Sequence, residues 1–294
     1  MNPALRVGGF VAGLAAAFGL AFAIGSSASP LRSVQKQQAE AGDSMGMGEE
    51  EHASAEGQLP GLAVSDDGYT LSPMTSQLPA GTKVPYRFRI TDEAGKPVTS
   101  YELEHEKELH LIVVRRDLTG FQHVHPVRAA DGTWSVPLDL AQAGSYRVFA
   151  DFHPAGLDRK LTLGTDLFVG GRFTPAALPA PATSSSTDGY VVRVSGTAHA
   201  GKESELTFDV TRGGKQVTDL EPYLGAFGHL VSLRTGDLAY LHTHPGQEAH
   251  AGERGGPQVQ FMTTFPTAGT YRLYLDFKHG GAVNTAAFTV VVER

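Results

Sequence analysis

The chain of 294 residues contains no cysteine and a single tryptophan. The missing cysteine excludes disulfides, thiolate zinc sites, iron–sulfur clusters, a cysteine nucleophile, the His/Cys copper site of electron-transfer proteins and a lipoprotein anchor. Lysine and arginine form no basic block and the formal net charge is −7, so we expect no nucleic-acid partner. The motifs G-x-S-x-G, H-E-x-x-H and the P-loop are absent too, so the sequence does not indicate an enzyme.

Residues 1–30 combine a positive end with an uncharged apolar run from Val7 to Ile24. This pattern predicts an export element, either a cleaved signal peptide or an uncleaved signal anchor. We favour the anchor, because a helix over this run would reach about 27 Å, close to the hydrocarbon thickness of a bilayer. Both fates place the rest of the chain outside the cytoplasm, and the anchor would make the membrane a partner.

The remainder consists of two similar stretches, each preceded by a linker. Residues 31–60 lack apolar periodicity and are expected to form a flexible linker. Residues 61–173 and 188–294 contain short alternating runs broken by Gly, Pro and Asp, and residues 174–187 form a Pro/Ala/Ser linker between them. We therefore predict an all-β protein, with two tandem immunoglobulin-like antiparallel β-sandwich domains after the N-terminal signal or anchor helix.

An internal repeat supports this division. The sequence AGSYRVFADF at Ala143–Phe152 matches AGTYRLYLDF at Ala268–Phe277, and a duplicated domain is the economical explanation. The Ala-Gly-Ser/Thr-Tyr element resembles the tyrosine corner of immunoglobulin-like sandwiches. Tyr146 and Tyr271 are therefore expected to be structural.

Six of the twelve histidines occur at the same spacing in the two repeats: His, twelve residues, His, one residue, His, Pro. They are His110, His123 and His125 in the first repeat and His229, His242 and His244 in the second. The two residues of a His-x-His pair face the same side of a strand. A hairpin would set His229 opposite His244, so that three imidazoles could converge on one ion. A longer loop through Gly120 is expected in the first repeat, where the register is less defined.

Asp151 and Asp276 occupy equal places in the repeated strand and should point away from the core, opposite to the tyrosines. In an immunoglobulin-like strand order each lies beside the strand of His110 or His229. Each Asp is therefore a fourth ligand, an acceptor that orients an imidazole, or a surface partner of an arginine. Imidazole ligands with at most a carboxylate suit copper or zinc, and copper is slightly favoured because the linker contributes methionine.

The segment His110–Pro126 has the pattern H-L-x-V-V-x-x-D-L-x-x-F-x-H-x-H-P. It resembles a group of uncharacterised bacterial, actinobacterial-type proteins that are membrane-anchored or secreted and have His-rich β-sandwich domains. The resemblance covers most of residues 65–294 and is most specific in the first repeat. These proteins are loosely associated with heavy-metal handling, copper in particular, and the resemblance implies no established activity.

The sequence thus predicts an extracytoplasmic metal-binding protein that buffers, senses or delivers copper or zinc. A membrane transporter or metallochaperone would be its partner. One alternative is a non-catalytic extracellular interaction or adhesion module, with structural histidines and a contact surface formed by Ile112, Val114 and Phe149. That face could equally pack one repeat against the other and merge two sites into one. A further alternative, a superoxide-dismutase-like metalloenzyme, lacks the expected cysteine pair.

Overall fold

A computed structural model of the protein describes residues 59–241 and 243–294. The predicted export element and almost all of the first predicted linker lie outside the described residues. The described residues form strands, turns and loops, which confirms the all-β prediction. Within this part of the chain, no helix has the length and apolarity that a membrane span requires.

The first sandwich contains eleven strands. They are β1 (Ser65–Asp66), β2 (Tyr69–Pro73), β3 (Gln77–Leu78), β4 (Gly81–Thr91), β5 (Tyr101–Glu102), β6 (Leu109–Arg115), β7 (Gln122–Val124), β8 (Val127–Arg128), β9 (Trp134–Leu140), β10 (Gly144–Pro154) and β11 (Leu161–Val169). One sheet has the order β1-β2-β4-β9-β8 and the other β3-β11-β10-β6-β7, with β5 also paired to β10. All pairs are antiparallel except β3 with β11.

The second sandwich contains ten strands. They are β12 (Ser184–Thr187), β13 (Tyr190–Ser195), β14 (Glu203–Arg212), β15 (Lys215–Gln216), β16 (His229–Arg234), β17 (Tyr240–Leu241), β18 (His244–Pro245), β19 (Gln258–Thr264), β20 (Gly269–His279) and β21 (Ala282–Val292). Its sheets have the orders β12-β13-β14-β19-β18 and β17-β16-β20-β21, with β15 paired to β14. The last four residues of the predicted linker 174–187 are not a linker. They form strand β12, because their backbone pairs with β13.

Both sandwiches have the immunoglobulin-like strand order. The strands β2, β4, β9 and β8 face a sheet in which β10 lies between β11 and β6, and the second repeat has the same arrangement. Each repeat also has the predicted tyrosine corner. The hydroxyl of Tyr146 donates to the carbonyl of Gln142 at 2.7 Å, and that of Tyr271 donates to the carbonyl of Thr267 at 2.8 Å.

The two sheets of the first sandwich differ in what covers them. Strand β9 alternates strictly between buried and exposed residues, because one side faces the core and the other faces solvent. Every residue of β6 is buried. Leu111 and Val113 point into the core of their own sandwich, whereas Ile112 and Val114 point to the opposite side, against the second sandwich.

An apolar layer between the repeats covers this outer side. Its buried members are Ile112, Val114, Leu118 and Phe149 from the first repeat and Val231, Leu233, Leu238, Tyr240 and Tyr274 from the second. Phe149 packs against Tyr240 with ring centroids 5.7 Å apart, and Phe121 stacks on Tyr274 at 3.9 Å. Phe149 and Tyr274 occupy equivalent positions in the two repeats, as do Phe121 and Tyr240, so the two ring pairs are equivalent contacts. The packing is therefore close to two-fold symmetric. The face formed by Ile112, Val114 and Phe149 is therefore an internal interface between the repeats. It is not the external contact surface that the interaction-module alternative assumes.

The segment just before the first sandwich also joins the two repeats. The amide of Tyr240 donates to the carbonyl of Pro60 at 3.0 Å, and Arg147 donates through Nη2 to the carbonyl of Gly61 at 2.6 Å. Gly61 has a φ of +76°, and a Cβ there would lie 2.6 Å from the ring of Phe149. Only glycine fits this close approach without displacing the interface.

Candidate metal centre

Strand register places a histidine beside an aspartate in each repeat. His110 on β6 is the partner of Asp151 on β10, and His229 on β16 is the partner of Asp276 on β20. All four lie on the outer sides of their sheets, and these two outer sides pack against each other. The predicted proximity of each Asp to its histidine strand is therefore present, and both pairs meet between the repeats.

In the first repeat the hairpin brings the three predicted histidines together. His123 on β7 pairs with Ile112 on β6, and the loop before it passes through Leu118 and Gly120, both with positive φ. The ring of His110 then lies 5.3 Å from that of His123 and 4.9 Å from that of His125, between centroids. The longer loop expected here keeps the register of a simple hairpin.

In the second repeat the expected pairing of His229 with His244 is wrong. Strands β16 and β17 pair in the expected register, Ser232 with Leu241, but β17 ends at Leu241. The chain then crosses to the other sheet, where the backbone of His244 pairs with Met262. His242 lies outside the described residues, as does the side chain of His244.

Three histidines from both repeats converge at the interface. One ring nitrogen each of His110, His123 and His229 lies within 4.8 Å of the other two. His229 has ring centroids 4.7 Å from His123 and 5.5 Å from His110. For imidazoles bound to one ion at about 2.0–2.1 Å, ring centroids lie about 4.5–5.2 Å apart. The cluster therefore has nearly the spacing of a ligand set.

Hydrogen bonds assign the tautomers of His110 and His123. His110 donates through Nε2 to the carbonyl of Glu104 at 2.9 Å, so its Nδ1 carries a lone pair. His123 donates through Nδ1 to a carboxylate oxygen of Asp276 at 2.9 Å, so its Nε2 also carries a lone pair. These two nitrogens face each other at 3.0 Å. Two lone pairs at this distance repel unless a cation, a proton or a metal ion, lies between them.

A third nitrogen points to the same place. His125 Nε2 lies 3.2 Å from His110 Nδ1. Nitrogens that share a tetrahedral ion are separated by about 3.4 Å, so both distances from His110 are close to those of bound ligands. His125 is half-buried and lies toward the surface, 6.5 Å from the ring of Tyr223.

Asp276 supports the cluster rather than facing its centre. One of its oxygens accepts from Thr285 at 2.6 Å and the other accepts from His123, a histidine of the other repeat. Asp151 accepts equivalently from Thr162 at 2.9 Å, and its second oxygen lies 3.5 Å from the hydroxyl of Tyr240. Both carboxylates are buried, so each depends on the hydrogen bonds that it accepts at the interface.

Burial makes protonation of His110 and His125 unfavourable. Desolvation, followed by the charge of His123, lowers the pKa of His110 to about 4. Desolvation and the neighbouring charges of His123, His110 and Lys107 lower the pKa of His125 to about 3. Both rings are therefore neutral near pH 7, as metal ligands must be.

These pKa values predict an acid-sensitive fold. Unfolded histidine titrates near about 6.5, so between this pH and about 4 the unfolded chain binds up to about two more protons than the folded chain at His110 and His125. The contribution of these two neutral rings to the stability of the metal-free protein should therefore be fully present above the unfolded pKa. It should decrease as the pH falls below that value toward about 4. Urea unfolding midpoints at about pH 7, 6 and 5 measure this. A midpoint that does not change over that range would contradict the neutral, buried state of the two rings.

Sequence spacing missed one member of the cluster. The ring of His105 lies 5.5 Å from that of His229 and 6.1 Å from that of His110. His105 is in a turn and has no equivalent histidine in the second repeat, where Leu224 takes its place. Its lack of a repeated spacing is the reason that the pattern gave no signal.

Other histidines are held elsewhere. His153 hydrogen-bonds to the carbonyl of Leu157 and to the carboxylate of Glu104, and His279 contacts Tyr190 and Asp219. These bonds make the two rings structural partners of their own sandwiches.

Comparison with known proteins identifies the repeat. The family model "Domain of unknown function (DUF8832)" matches residues 63–166 and 185–294, one match for each sandwich. No curated protein sequence matches. The family description names no organism and no metal, so the copper link implied by the His110–Pro126 segment stays a prediction.

Solved structures share only the fold. The Escherichia coli adhesin FdeC is 16% identical, with a TM-score of 0.25, over 79% of this chain and 65% of the adhesin chain. The chain thus spans slightly less than two thirds of that structure. Domains 4 and 5 of the S-layer protein SbsC are 9% identical, with a TM-score of 0.24, over 79% of this chain and 100% of theirs. Likenesses at this level carry no argument about function.

Proposed function

The chain belongs to the family described as Domain of unknown function (DUF8832), and from the histidine cluster between its repeats we infer that it binds one divalent transition-metal ion. The observation that supports this most is the pair of lone-pair nitrogens, His110 Nδ1 and His123 Nε2, held 3.0 Å apart. His229 supplies a third imidazole from the second repeat and His125 a fourth donor toward the surface. The ion would be copper or zinc, because neutral imidazoles suit these ions and calcium or magnesium would require oxygen ligands.

The proposed site requires both repeats. His110 and His123 come from the first sandwich, whereas His229 and the orienting carboxylate of Asp276 come from the second. A site of this kind binds through the packed interface, so the two halves would act as one binding unit rather than as two separate sites. We therefore expect one strongly bound ion per chain at the described cluster.

A location outside the cytoplasm is part of the proposal. It rests on the apolar run Val7–Ile24, which has the composition of an export element. There the protein would buffer, sense or deliver the ion. A membrane transporter or metallochaperone that exchanges the ion through the more exposed His125 would be the natural partner.

Metal titration tests the proposal directly. The metal-free chain is titrated with Zn(II) and Cu(II) beside a variant with His110→Leu, His123→Leu and His229→Leu. We expect the native chain to bind and the variant to lose most of its affinity while it remains folded. A control with His199→Ala, a histidine that lies beside Glu293 at 4.0 Å and outside the cluster, should bind like the native chain. Equal binding by the native chain and the triple variant would refute the proposed site.

The interaction module is the second candidate. Its predicted contact face is occupied by the other repeat, so such a module would use apolar side chains that stay exposed, including Leu103 at 68% and Val127 at 74% exposure. Absence of metal binding by the native chain would favour this reading, with the histidine cluster then serving only to hold the repeats together.

A further inference from the structure

His105 lies on a tight turn that the chain forms against conformational preference. Glu104 and Lys107 pair through two backbone hydrogen bonds of 2.8 and 3.0 Å, which leaves His105 and Glu106 at the centre of the turn. Their φ angles are +46° and +67°. These values lie in the left-handed region, which is uncommon for residues other than glycine. A two-residue turn of this type is formed most easily by Asn-Gly.

The second repeat contains the same turn with different residues. Tyr223 and Ala226 pair as Glu104 and Lys107 do, and the central residues are Leu224 and Gly225 with φ angles of +59° and +78°. The fold therefore accepts leucine where the first repeat has His105 and glycine where it has Glu106. The imidazole of His105 is not required to make the turn.

The turn is fixed to the histidine cluster. The carbonyl of Glu104 accepts from His110, and the Glu104 carboxylate contacts His153 at 3.1 Å and the ammonium group of Lys160. The backbone of the next residue, His105, is thus held beside the cluster, where its ring lies edge-on to those of His110 and His229.

We propose that His105 is an additional ligand of the ion bound at the interface and that the completed site prefers Cu(II) to Zn(II). This inference rests on the proposed function. Two imidazoles on opposite sides of one ion have centroids about 6.4 Å apart, and adjacent ones about 4.5–5.2 Å. His105 lies 6.1 Å from His110 and 5.5 Å from His229, which suits a position across the ion from His110.

The number of imidazoles determines the metal preference. His105, His110, His123, His125 and His229 provide five, which is one more than tetrahedral zinc binds. A tetragonal arrangement with an additional ligand is the geometry of Cu(II), which also binds nitrogen donors more tightly than Zn(II) does. The additional ligand should therefore contribute to copper affinity and much less to zinc affinity.

The test compares His105→Leu with Glu106→Gly in the full chain. His105→Leu copies Leu224 of the equivalent turn and removes the imidazole, whereas Glu106→Gly copies Gly225 and keeps it. Chelator competition should show His105→Leu losing about tenfold or more in Cu(II) affinity, with a much smaller change for Zn(II) and none for Glu106→Gly. Pulsed electron paramagnetic resonance should show one imidazole fewer on copper.

The outcomes separate this inference from the proposed function. Unchanged copper affinity and imidazole number in His105→Leu, with the native chain binding metal, would overturn the role of His105 alone. Equal losses for both metals, or a loss in Glu106→Gly as well, would assign the turn a structural role and also overturn it. Failure of the native chain to bind either metal would overturn the proposed function and this inference with it. If His105→Leu does not fold, His105→Asn, which tolerates the same φ, replaces it.

Discussion

Replacing Asp276 by asparagine should lower metal affinity about 10- to 100-fold, the usual effect of losing the group that orients a metal-bound histidine. The Asp276 carboxylate accepts a hydrogen bond from His123 Nδ1 at 2.9 Å, and both side chains are almost completely buried. Asparagine keeps the shape and the bond from Thr285 but removes the negative charge that fixes the tautomer and strengthens the imidazole as a ligand. Isothermal titration with Zn(II) and Cu(II) measures the loss.

The first repeat supplies the matched control. Asp151 is buried, accepts from Thr162 as Asp276 accepts from Thr285, and lies in the equivalent strand. Its second oxygen lies near the hydroxyl of Tyr240 instead of an imidazole. Asp151→Asn should therefore reduce affinity less than Asp276→Asn. Equal losses would show that only the total negative charge matters, and unchanged affinity in Asp276→Asn would contradict the assigned role of the His123 contact.

Replacing Tyr274 by alanine should destabilise the protein by about 3–5 kcal/mol, as for other large buried aromatic residues. Tyr274 does not belong to the core of either sandwich. Its ring stacks on Phe121 at 3.9 Å, and its hydroxyl donates to the carbonyl of Leu118 at 2.7 Å, so both contacts cross the interface. The substitution therefore weakens the packing that brings His110 and His229 together, and metal affinity should fall as well.

Urea unfolding with two probes measures this effect. Fluorescence of the single tryptophan, Trp134, reports on the first sandwich, and circular dichroism reports on both. Tyr274→Phe, which loses only the hydroxyl, should cost about 1 kcal/mol. Phe168→Ala, at a half-exposed position outside the interface, should have a much smaller effect. A Tyr274→Ala protein as stable as Phe168→Ala would contradict a rigid packed interface.

Local patterns were sufficient to predict the fold class and several orientations. Period-two alternation identifies strands because side chains on a strand point to opposite sides in turn. The repeated Tyr-Arg-x-aromatic-x-Asp-Phe sequence correctly predicts that Tyr146 and Tyr271 form corners and that Asp151 and Asp276 point outward. Each of these inferences depends only on residues close together in the chain or on a comparison of one repeat with the other.

The hairpin of the second repeat shows where local patterns stop. The register of Ser232 with Leu241 follows from the turn, but the change of sheet before His244 does not. It depends on which edge strand, β16 or β19, offers free backbone groups at that point. The first repeat also changes sheet, but only after Val124, so its hairpin holds His123 beside β6. Spacing alone could not predict that the two repeats change sheet at different points.

By itself, the sequence determined an all-β protein of two repeated sandwiches with a histidine and a carboxylate on the outer side of one sheet in each, because alternation and turn chemistry are local. Only the tertiary structure decided that these two outer sides cover each other, that Asp276 orients His123 of the other repeat, and that the unrepeated His105 joins the cluster. The reason is that burying two apolar faces favours contact between them without regard to their separation along the chain, and their mutual fit appears only when both are folded.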